Sequence, residues 1–551
     1  MIFNLSLTHS LQIQQAKSHL KGWVTIKKQL LIIAALLWLL TTETQRAVVC
    51  PMPIQKGITY AAWSAGAYSH PDADLALGHL RATGAEWIGL VVTGYQNNVG
   101  ATAISINTDV TPTDADLIHA ITQAHALGLK VMLKPHVDFS NDTDHWRGEI
   151  GTKFTSELQW SAWFDSYRAF IVHYAELAQA YGVDQFAVGT ELIGTTQRAD
   201  DWRAIIAAVR THYNGPVTYA ANHDGEEMQI TWWDAVDYIG VDAYYPLTDK
   251  NDPTPGELKA AWEPYVAMLA SLASTWNKPI LVTEIGYTSQ DGTNRYPARQ
   301  QTESALDLQE QADAYQAAFE SLYTQPWFAG IFWWVWTTDP FAGGPCDAGH
   351  TPREKPAENV LRTWYGGAMQ PQPTPIPIPD YSHTLTIYDD AIGAGWEDWS
   401  WNASCDLSAT GQIYSGTNAI SAGLQAWGAF SLHTNDSIDP SRYYWIEFYI
   451  RGNFPETQSL GVFFNNADGT ELRKRPVDDC RYIEEGTIEV GVWKQVRIPL
   501  TDLNAAEPFL AKISIQDRSG QAPTLFWVDE IRLVAAKSLH LLYLPCVMRR
   551  R

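Results

Sequence analysis

The chain has 551 residues, more than an ordinary single domain holds, which predicts two or three folded units. Its formal net charge of −23 argues against a nucleic-acid-binding protein, because phosphate contacts need clustered lysine and arginine side chains. The 24 tryptophans and 25 tyrosines supply core residues, and such rings also suit stacking on the apolar faces of sugars.

The first 50 residues have the layout of an export signal. Lys27 and Lys28 precede an apolar run at residues 30–40, and a polar stretch follows as far as Arg46. The run is too short to span a membrane comfortably. We therefore expect a secreted or cell-surface protein, with cleavage of this segment and its retention as an anchor both left open.

Residues 55–367 alternate short apolar runs with amphipathic segments. Eight strand-then-helix units in a region of this length predict an α/β fold, a (β/α)8 TIM barrel. The alternative, a doubly wound sheet, would show a glycine-rich phosphate turn after the first strand, and Tyr60-Ala-Ala-Trp63 is not one. The predicted strands cover residues 57–63, 87–92, 130–135, 185–189, 216–220, 238–241, 279–282 and 330–334. The clearest predicted helices cover residues 72–83, 114–127, 160–181, 202–213, 257–276 and 308–325.

Two glutamates stand at the predicted active end of this barrel. Glu191 follows the fourth strand and Glu284 the seventh, and the carboxyl ends of the strands form the mouth of such a barrel. A carboxylate directly after an apolar strand is costly to bury without a partner. Hydrolysis of a glycosidic bond needs two such groups flanking the bond, about 5–5.5 Å apart in retaining enzymes. The other interpretation is a structural ion pair for each glutamate, and spacing alone does not decide between the two.

Six motifs in chain order resemble the β-mannanases of glycoside hydrolase family 113. They are Gly57-Ile-Thr-Tyr, Leu133-Lys-Pro-His136-Val-Asp138, Val188-Gly-Thr-Glu191-Leu, Asp237-Tyr-Ile-Gly-Val-Asp-Ala-Tyr-Tyr-Pro246, Val282-Thr-Glu284-Ile-Gly-Tyr and Gly330-Ile-Phe-Trp-Trp-Val-Trp336. The resemblance implies a retaining mechanism with Glu191 as acid/base and Glu284 as nucleophile. Thr190 stands where many related barrel glycosidases carry an asparagine, and the family resembled shares this threonine.

Further side chains at the strand ends are expected to bind substrate. Tyr244 or Tyr245 is expected to hydrogen-bond the nucleophile, and Trp336 to lie under the sugar at the cleavage point. Trp333 and Trp334 are expected to pack in the barrel, because adjacent strand residues face opposite ways. The substrate-binding candidates are Trp63, His136, Asp138, Asn222, Asp242, Tyr244 and Trp336, with Asn222 the candidate for the sugar 2-hydroxyl. Without tight His–x–His or His–Glu spacing, we expect neither a metal nor a cofactor.

A proline-rich linker at residues 368–381 separates the barrel from a second region. Residues 382–536 show short strands and turns without a long amphipathic helix, which predicts an all-β jelly-roll sandwich. The motifs at residues 395–401, 493–500 and 526–533 resemble jelly-roll carbohydrate-binding modules of secreted glycan hydrolases. Trp396, Trp399 and Trp401 alternate there, either as rings on one binding face or as edge packing.

Five cysteines and a basic tail complete the chain. Cys405 and Cys480 lie in the second region, where they form a disulfide or remain two unpaired residues. The tail at residues 537–551 is apolar and then basic, which is typical of a disordered terminus and also compatible with attachment to the cell surface.

The sequence therefore predicts a retaining, endo-acting β-1,4-mannanase with a polysaccharide substrate and no protein partner. Two alternatives remain. One keeps the mechanism and changes the substrate to another β-linked glycan, such as a β-glucan or a cell-wall polymer. The other is a non-catalytic glycan-binding surface protein that carries an inactive barrel.

Overall fold

The structure is a computed structural model that describes residues 53–299, 304–370, 377–453, 459–520 and 524–537. The predicted export segment, residues 371–376 of the linker and nearly all of the predicted tail lie outside these residues. No helix within these ranges is long and apolar enough to cross a membrane.

The first unit is a closed barrel of eight parallel strands. Strand β1 pairs with both β2 and β8, so the sheet has no free edge. The strands are β1 Gln55–Ala61, β2 Trp87–Gln96, β3 Lys130–Phe139, β4 Gln185–Thr190, β5 Val217–Asn222, β6 Tyr238–Asp242, β7 Ile280–Ile285 and β8 Phe328–Thr337. The fold predicted from the alternating pattern is confirmed, with each strand overlapping its predicted range.

Helices surround this barrel. Thr113 and Asp116 form a capping box at the start of α2, and Thr254 and Glu257 do the same for α5, which fixes where both helices begin. The helices are α1 Pro71–Ala82, α2 Asp114–Ala126, α3 Glu157–Ala180, α4 Ala199–His212, α5 Pro255–Trp276, α6 Leu308–Leu322 and α7 Pro356–Tyr365. Their apolar faces and the strands share one continuous core, so the strand ends are held rigidly around the mouth.

The second unit is a β-sandwich of antiparallel strand pairs around its own core, as predicted. Its longer strands are β9 Pro379–Asp389, β10 Trp396–Asp398, β11 Trp401–Ala409, β12 Ala419–Ile438, β13 Trp445–Gly452, β14 Leu460–Asn466, β15 Lys494–Pro499, β16 Leu510–Asp517 and β17 Thr524–Ala536. The three tryptophans predicted to alternate do not share one environment. Trp396 packs against the core, whereas Trp399 and Trp401 are exposed. β10 and β11 pair with β12 in one continuous register, so Trp399, three residues after Trp396, lies on the opposite face, and Trp401 shares that exposed face.

The two units are joined by a disulfide as well as by the linker. Cys480 pairs with Cys346 of the loop after β8, with 6.1 Å between their Cα atoms. Neither of the two alternatives for Cys405 and Cys480 holds, since Cys480 is paired with Cys346 and Cys405 is a free thiol. The physical reason is position: Cys405 packs against the sandwich core from β11, whereas Cys480 lies in a loop that meets the barrel.

Candidate active site

The carboxyl ends of the barrel strands surround a cleft of about 550 Å³. Both predicted catalytic glutamates line it, together with three of the predicted substrate-binding residues from β3 and β5 and with Tyr244. Its lining is His136, Asp138, Trp146, Arg147, Glu191, Asn222, His223, Asp224, Tyr244, Glu284, Ala298, Trp334 and His350. The strand geometry thus gathers side chains that lie far apart in sequence.

Glu284, within β7, has a donor at each of its carboxylate oxygens. The Lys134 ammonium lies 2.5 Å from Oε1, and the Tyr244 hydroxyl donates to Oε2 at 2.9 Å. The side chain is only 5% exposed, so these contacts compensate a charge that is largely removed from water. Glu284 is therefore both ion-paired and exposed to the cleft, which is a suitable arrangement for a fixed anionic nucleophile.

Lys134 and Asp242 lie behind Glu284 and are completely buried. Lys134 Nζ is 3.1 Å from Asp242 Oδ1, and the Thr283 hydroxyl donates to the same oxygen at 2.7 Å. Burial alone would lower the pKa of Lys134, but the Asp242 and Glu284 carboxylates outweigh it and raise that pKa. Asp242 is absent from the cleft lining, so its predicted contact with substrate is wrong. It is the last residue of β6, and its buried side chain points inward, toward Lys134.

Glu191 follows β4 with a backbone φ of 54°, in the left-handed region that side-chain-bearing residues rarely adopt. The Asn222 amide donates to its Oε1 at 2.8 Å, and a guanidinium nitrogen of Arg147 lies 3.8 Å from Oε2. Burial raises the pKa of Glu191 above 4.5, and the negative charge of Glu284 adds to the rise, whereas Arg147 opposes it. A carboxyl group with a raised pKa is suited to donate a proton near neutral pH.

Arg147 connects the two predicted groups of β3. It donates to His136 Nδ1 at 2.9 Å and to Asp138 Oδ2 at 3.0 Å. Burial, and then the charges of Arg147 and Lys134, lower the pKa of His136 well below 6.5, so the ring is neutral. Because Nδ1 accepts from Arg147, Nε2 carries the proton, and it lies 3.6 Å from Glu284 Oε1.

The tryptophan at the cleft is Trp334 and not Trp336. Trp336 is buried, and its indole N–H donates to the Ala76 carbonyl of α1, so it cannot support a sugar. Trp333 packs as predicted, stacked on Tyr315 of α6. The difference between Trp334 and Trp336 arises from a β-bulge in β8. Trp333 pairs with Ile58 of β1 and Trp336 pairs with Tyr60, so β8 has one more residue than β1 between these two pairs. One extra residue reverses the alternation of side chains beyond it.

The remaining candidates lie near the cleft without lining it. Trp63 is 43% exposed, and its ring meets the ring of Trp334 edge to face at 6.1 Å between centroids. Of the two tyrosines expected to hydrogen-bond the nucleophile, Tyr245 does not do so, because its hydroxyl donates to Glu227 at 3.1 Å. Among the described residues, no cluster of histidine, cysteine or acidic side chains has the arrangement of a metal site.

Several lining residues escape prediction because they sit in loops without a strand end to locate them. Arg147 and Trp146 come from the loop after β3, and His350 from the loop after β8. Both loops are long for a compact barrel, and that length is the one signal in the sequence that marks them.

A (β/α)8 barrel with two glutamates at the ends of its fourth and seventh strands, facing one cleft, is the arrangement of the barrel glycosidases. The chain belongs to glycoside hydrolase family 113, whose family model matches residues 58–345.

Solved structures of this family have the same fold. A family 113 β-1,4-mannanase is 30% identical, with a TM-score of 0.53, and the match covers 57% of this chain and 100% of that one. The family 113 β-mannanase of Alicyclobacillus acidocaldarius is 33% identical, with a TM-score of 0.51, over 57% of this chain and 97% of that one. An endoglucanase of Dictyostelium discoideum is 30% identical over 150 residues, which are 27% of this chain and only 21% of that protein.

Proposed function

We propose that this protein is a retaining, endo-acting β-1,4-mannanase. The observation that carries the proposal is the contrast between the two glutamates of one cleft. Glu284 is held by Lys134 and Tyr244, whereas burial raises the pKa of Glu191. One group is suited to attack and the other to donate a proton. The names of the solved family members, both β-mannanases, support the choice of substrate.

In the first step, a carboxylate oxygen of Glu284 attacks the anomeric carbon of the bound sugar. The bond from that carbon to the bridging oxygen breaks, and Glu191 gives its proton to the departing oxygen. Lys134 and Tyr244 keep the Glu284 side chain in one orientation while the new bond forms. The products are a glycosyl ester on Glu284 and a shortened chain with a free hydroxyl.

In the second step, Glu191 is ionised and takes a proton from a water molecule. The resulting hydroxide oxygen attacks the same anomeric carbon, and Glu284 leaves as a carboxylate. Arg147, 3.8 Å from Glu191, stabilises the ionised form that this step requires. Two inversions at one carbon restore the original configuration.

Endo action is supported by exposed aromatic rings at two places around the mouth. Trp63 follows β1, and Trp146, which is 40% exposed, comes from the loop after β3. Such rings bind the apolar faces of sugars beyond the cleavage point, so both ends of a long chain can extend past the catalytic pair.

The test uses Glu284→Gln and Glu191→Ala with proton NMR of the products. We expect Glu284→Gln to lose at least about a thousandfold in turnover, because no covalent ester can form. We expect Glu191→Ala to keep cleaving a 2,4-dinitrophenyl β-mannoside, whose leaving group needs no proton, and to yield the β-mannosyl azide when azide is added. The wild type should release the β-anomer first.

Glu263→Gln is the matched control, because Glu263 is exposed on α5 and does not line the cleft. Release of the α-anomer first would refute retention. Near-normal turnover by Glu284→Gln would refute the assignment of the nucleophile. Binding of mannan by the wild type without release of reducing ends would favour the non-catalytic alternative.

A β-glucan is the second candidate substrate, favoured by the matched segment of a protein named an endoglucanase. The two sugars differ in the orientation of one hydroxyl group at C2. Activity on matched β-1,4-mannan and β-1,4-glucan oligosaccharides of equal length separates the candidates. A higher kcat/KM on the glucan series would replace the mannanase proposal while keeping the mechanism.

We also propose that the protein is exported. The disulfide between Cys346 and Cys480 supports this, because such bonds persist in oxidising compartments and are rare in the cytosol. Fractionation of the producing cells, with thiol labelling of the protein from each fraction, tests the proposal. Recovery of the reduced protein in the cytosol alone would contradict it.

A further inference from the structure

A second cleft, of about 550 Å³, lies between the barrel and the sandwich. Its barrel wall is formed by residues 64–67, which follow β1, and residues 338–339, which follow β8. Both segments leave their strands at the end where the catalytic cleft lies. The second cleft, called here the interdomain cleft, therefore opens at the same end of the barrel as the candidate active site.

Two neighbouring aromatic rings, the half-buried Trp334 and the exposed Trp63, lie beside the two clefts. Trp334 lines the catalytic cleft, and its ring meets that of Trp63 edge to face at 6.1 Å. Trp63 directly precedes Ser64, which lines the interdomain cleft. These rings therefore direct a glycan chain that leaves the active site toward the segment that lines the interdomain cleft.

The interdomain cleft carries a positive wall in a strongly acidic protein. The sandwich contributes Arg473, Lys474, Arg475 and Arg518 to this wall. The barrel contributes two acidic residues, Asp72 and Asp339, and the neighbouring Thr338. Each aspartate already has an arginine partner, since Arg473 lies 2.9 Å from Asp72 and Arg475 lies 3.6 Å from Asp339.

The other two cations of this wall have no aspartate of the cleft as a partner. The Lys474 side chain is 29% exposed, and its ion pair with Glu471 at 3.2 Å is open to solvent and therefore weak. Its ammonium also donates to the Gln516 side-chain oxygen at 2.5 Å and lies 4.5 Å from the centre of the Phe463 ring, which holds it at the wall of the cleft. Arg518 is exposed, and its charge also acts on Asp478. In a chain with a net charge of −23, such a pair creates a local field that attracts anions from solution.

The cleft is rigid before anything binds. The guanidinium groups of Arg473 and Arg475 lie 4.6 Å and 4.0 Å from the ring centre of Phe341, which belongs to the barrel. The Cys346–Cys480 disulfide ties the same barrel loop to the sandwich. A preformed site loses little conformational entropy when a ligand enters.

We propose that the interdomain cleft is a distal subsite of the substrate and that it recognises a sugar bearing a carboxylate. The proposal rests on the proposed function. A uronic acid residue has a carboxylate for Lys474 and Arg518, and other sugars of the same chain have ring faces for Trp63, which lies just outside the cleft lining. The protein would then prefer β-linked glycans with acidic residues over uncharged chains of the same length.

The test compares β-1,4-mannan with the same mannan after partial oxidation of its primary hydroxyl groups to carboxylates. We expect the full-length wild type to show a higher kcat/KM on the oxidised polymer, and to lose that preference at an ionic strength of about 0.5 M. In the double variant Lys474→Gln and Arg518→Gln, the ratio of the two kcat/KM values should fall about threefold to tenfold.

Arg442→Gln removes an exposed arginine from the same sandwich outside the cleft and should leave the ratio unchanged. Thermal unfolding of each variant checks its folding. An unchanged ratio in a folded double variant, or a wild-type preference that survives high salt, overturns the proposal.

Failure of the proposed function is a separate result. If neither polymer is cleaved, that function is wrong, and calorimetric binding of the oxidised polymer to Glu284→Gln still tests the cleft. Binding that weakens in the triple variant with Lys474→Gln and Arg518→Gln supports the subsite, and equal binding refutes it.

Discussion

Tyr244 and Tyr245 are neighbours in the chain, but their hydroxyl groups reach different carboxylates. Tyr244 donates to Glu284 at 2.9 Å, and Tyr245 donates to Glu227 outside the cleft. We expect Tyr244→Phe to lower kcat/KM about 10- to 100-fold, because a hydrogen bond to a charged group is lost. Tyr245→Phe is the matched control, with an expected change below about threefold. Equal losses in both variants would assign the effect to packing of the loop.

Arg147 controls the charge of the acid/base candidate. Burial raises the pKa of Glu191, and Arg147 opposes that rise, so Arg147→Met should raise this pKa further. Since Glu191 must be protonated to act as the acid, the alkaline limb of the kcat/KM profile should move to higher pH. Arg198→Met, which removes ion pairs with Glu157 and Asp201 outside the cleft lining, should leave that limb in place. A shift toward lower pH in Arg147→Met would contradict the assignment.

At the scale of residues, prediction succeeds where a strand end fixes a position. Glu191, Glu284 and Tyr244 meet in one cleft because regular strands carry them there. Prediction fails for Arg147, since a loop of unknown path brings it to the cleft. No pattern in the sequence encodes that path, because the contacts of Arg147 with His136 and Asp138 are tertiary.

At the scale of elements, β8 shows the limit of alternation as a guide. The strand lies where the sequence predicts it, but its bulge places Trp334 at the cleft and Trp336 in the core, the reverse of the predicted arrangement. A bulge adds one residue without changing the apolar character of the strand, so the hydrophobic pattern does not reveal it. In the sandwich, β11 has exposed outward residues and no apolar run, so the hydrophobic pattern does not reveal it either.

The loop after β8 depends on its disulfide. Cys346 and Cys480 are separated by 134 residues, and closing so long a loop restricts the unfolded chain strongly. We expect Cys480→Ser to lower the free energy of unfolding by about 2–4 kcal/mol, measured as a lower urea midpoint. Activity should also fall, because the loop carries His350 into the catalytic cleft. Cys405→Ser, at the free thiol, is the control, and equal effects from both substitutions would contradict this role.

At the scale of the whole molecule, the sandwich and the barrel form a joint surface rather than two domains on a free linker. Arg481 of the sandwich lies 3.6 Å from Glu354 and donates to the Phe341 carbonyl at 2.9 Å. Arginines from both units surround the Phe341 ring. The sequence shows a proline-rich boundary and predicts the two units, but a boundary contains no information about which surfaces meet.

Phe341→Ala tests whether these contacts couple the unfolding of the two units. Each contact between a guanidinium and a ring is worth about 0.5–2 kcal/mol, depending on its exposure to water. We expect the oxidised wild type to unfold in one calorimetric transition, because the disulfide and the arginines around Phe341 hold both units together. With the disulfide reduced, Phe341→Ala should separate the single transition into a barrel transition and a sandwich transition. Phe509→Ala, which removes an exposed ring elsewhere on the sandwich, is the control and should not separate the transition. Two transitions in the oxidised wild type would show that the units unfold independently, and the interdomain cleft would then lack the rigidity that links it to the active site.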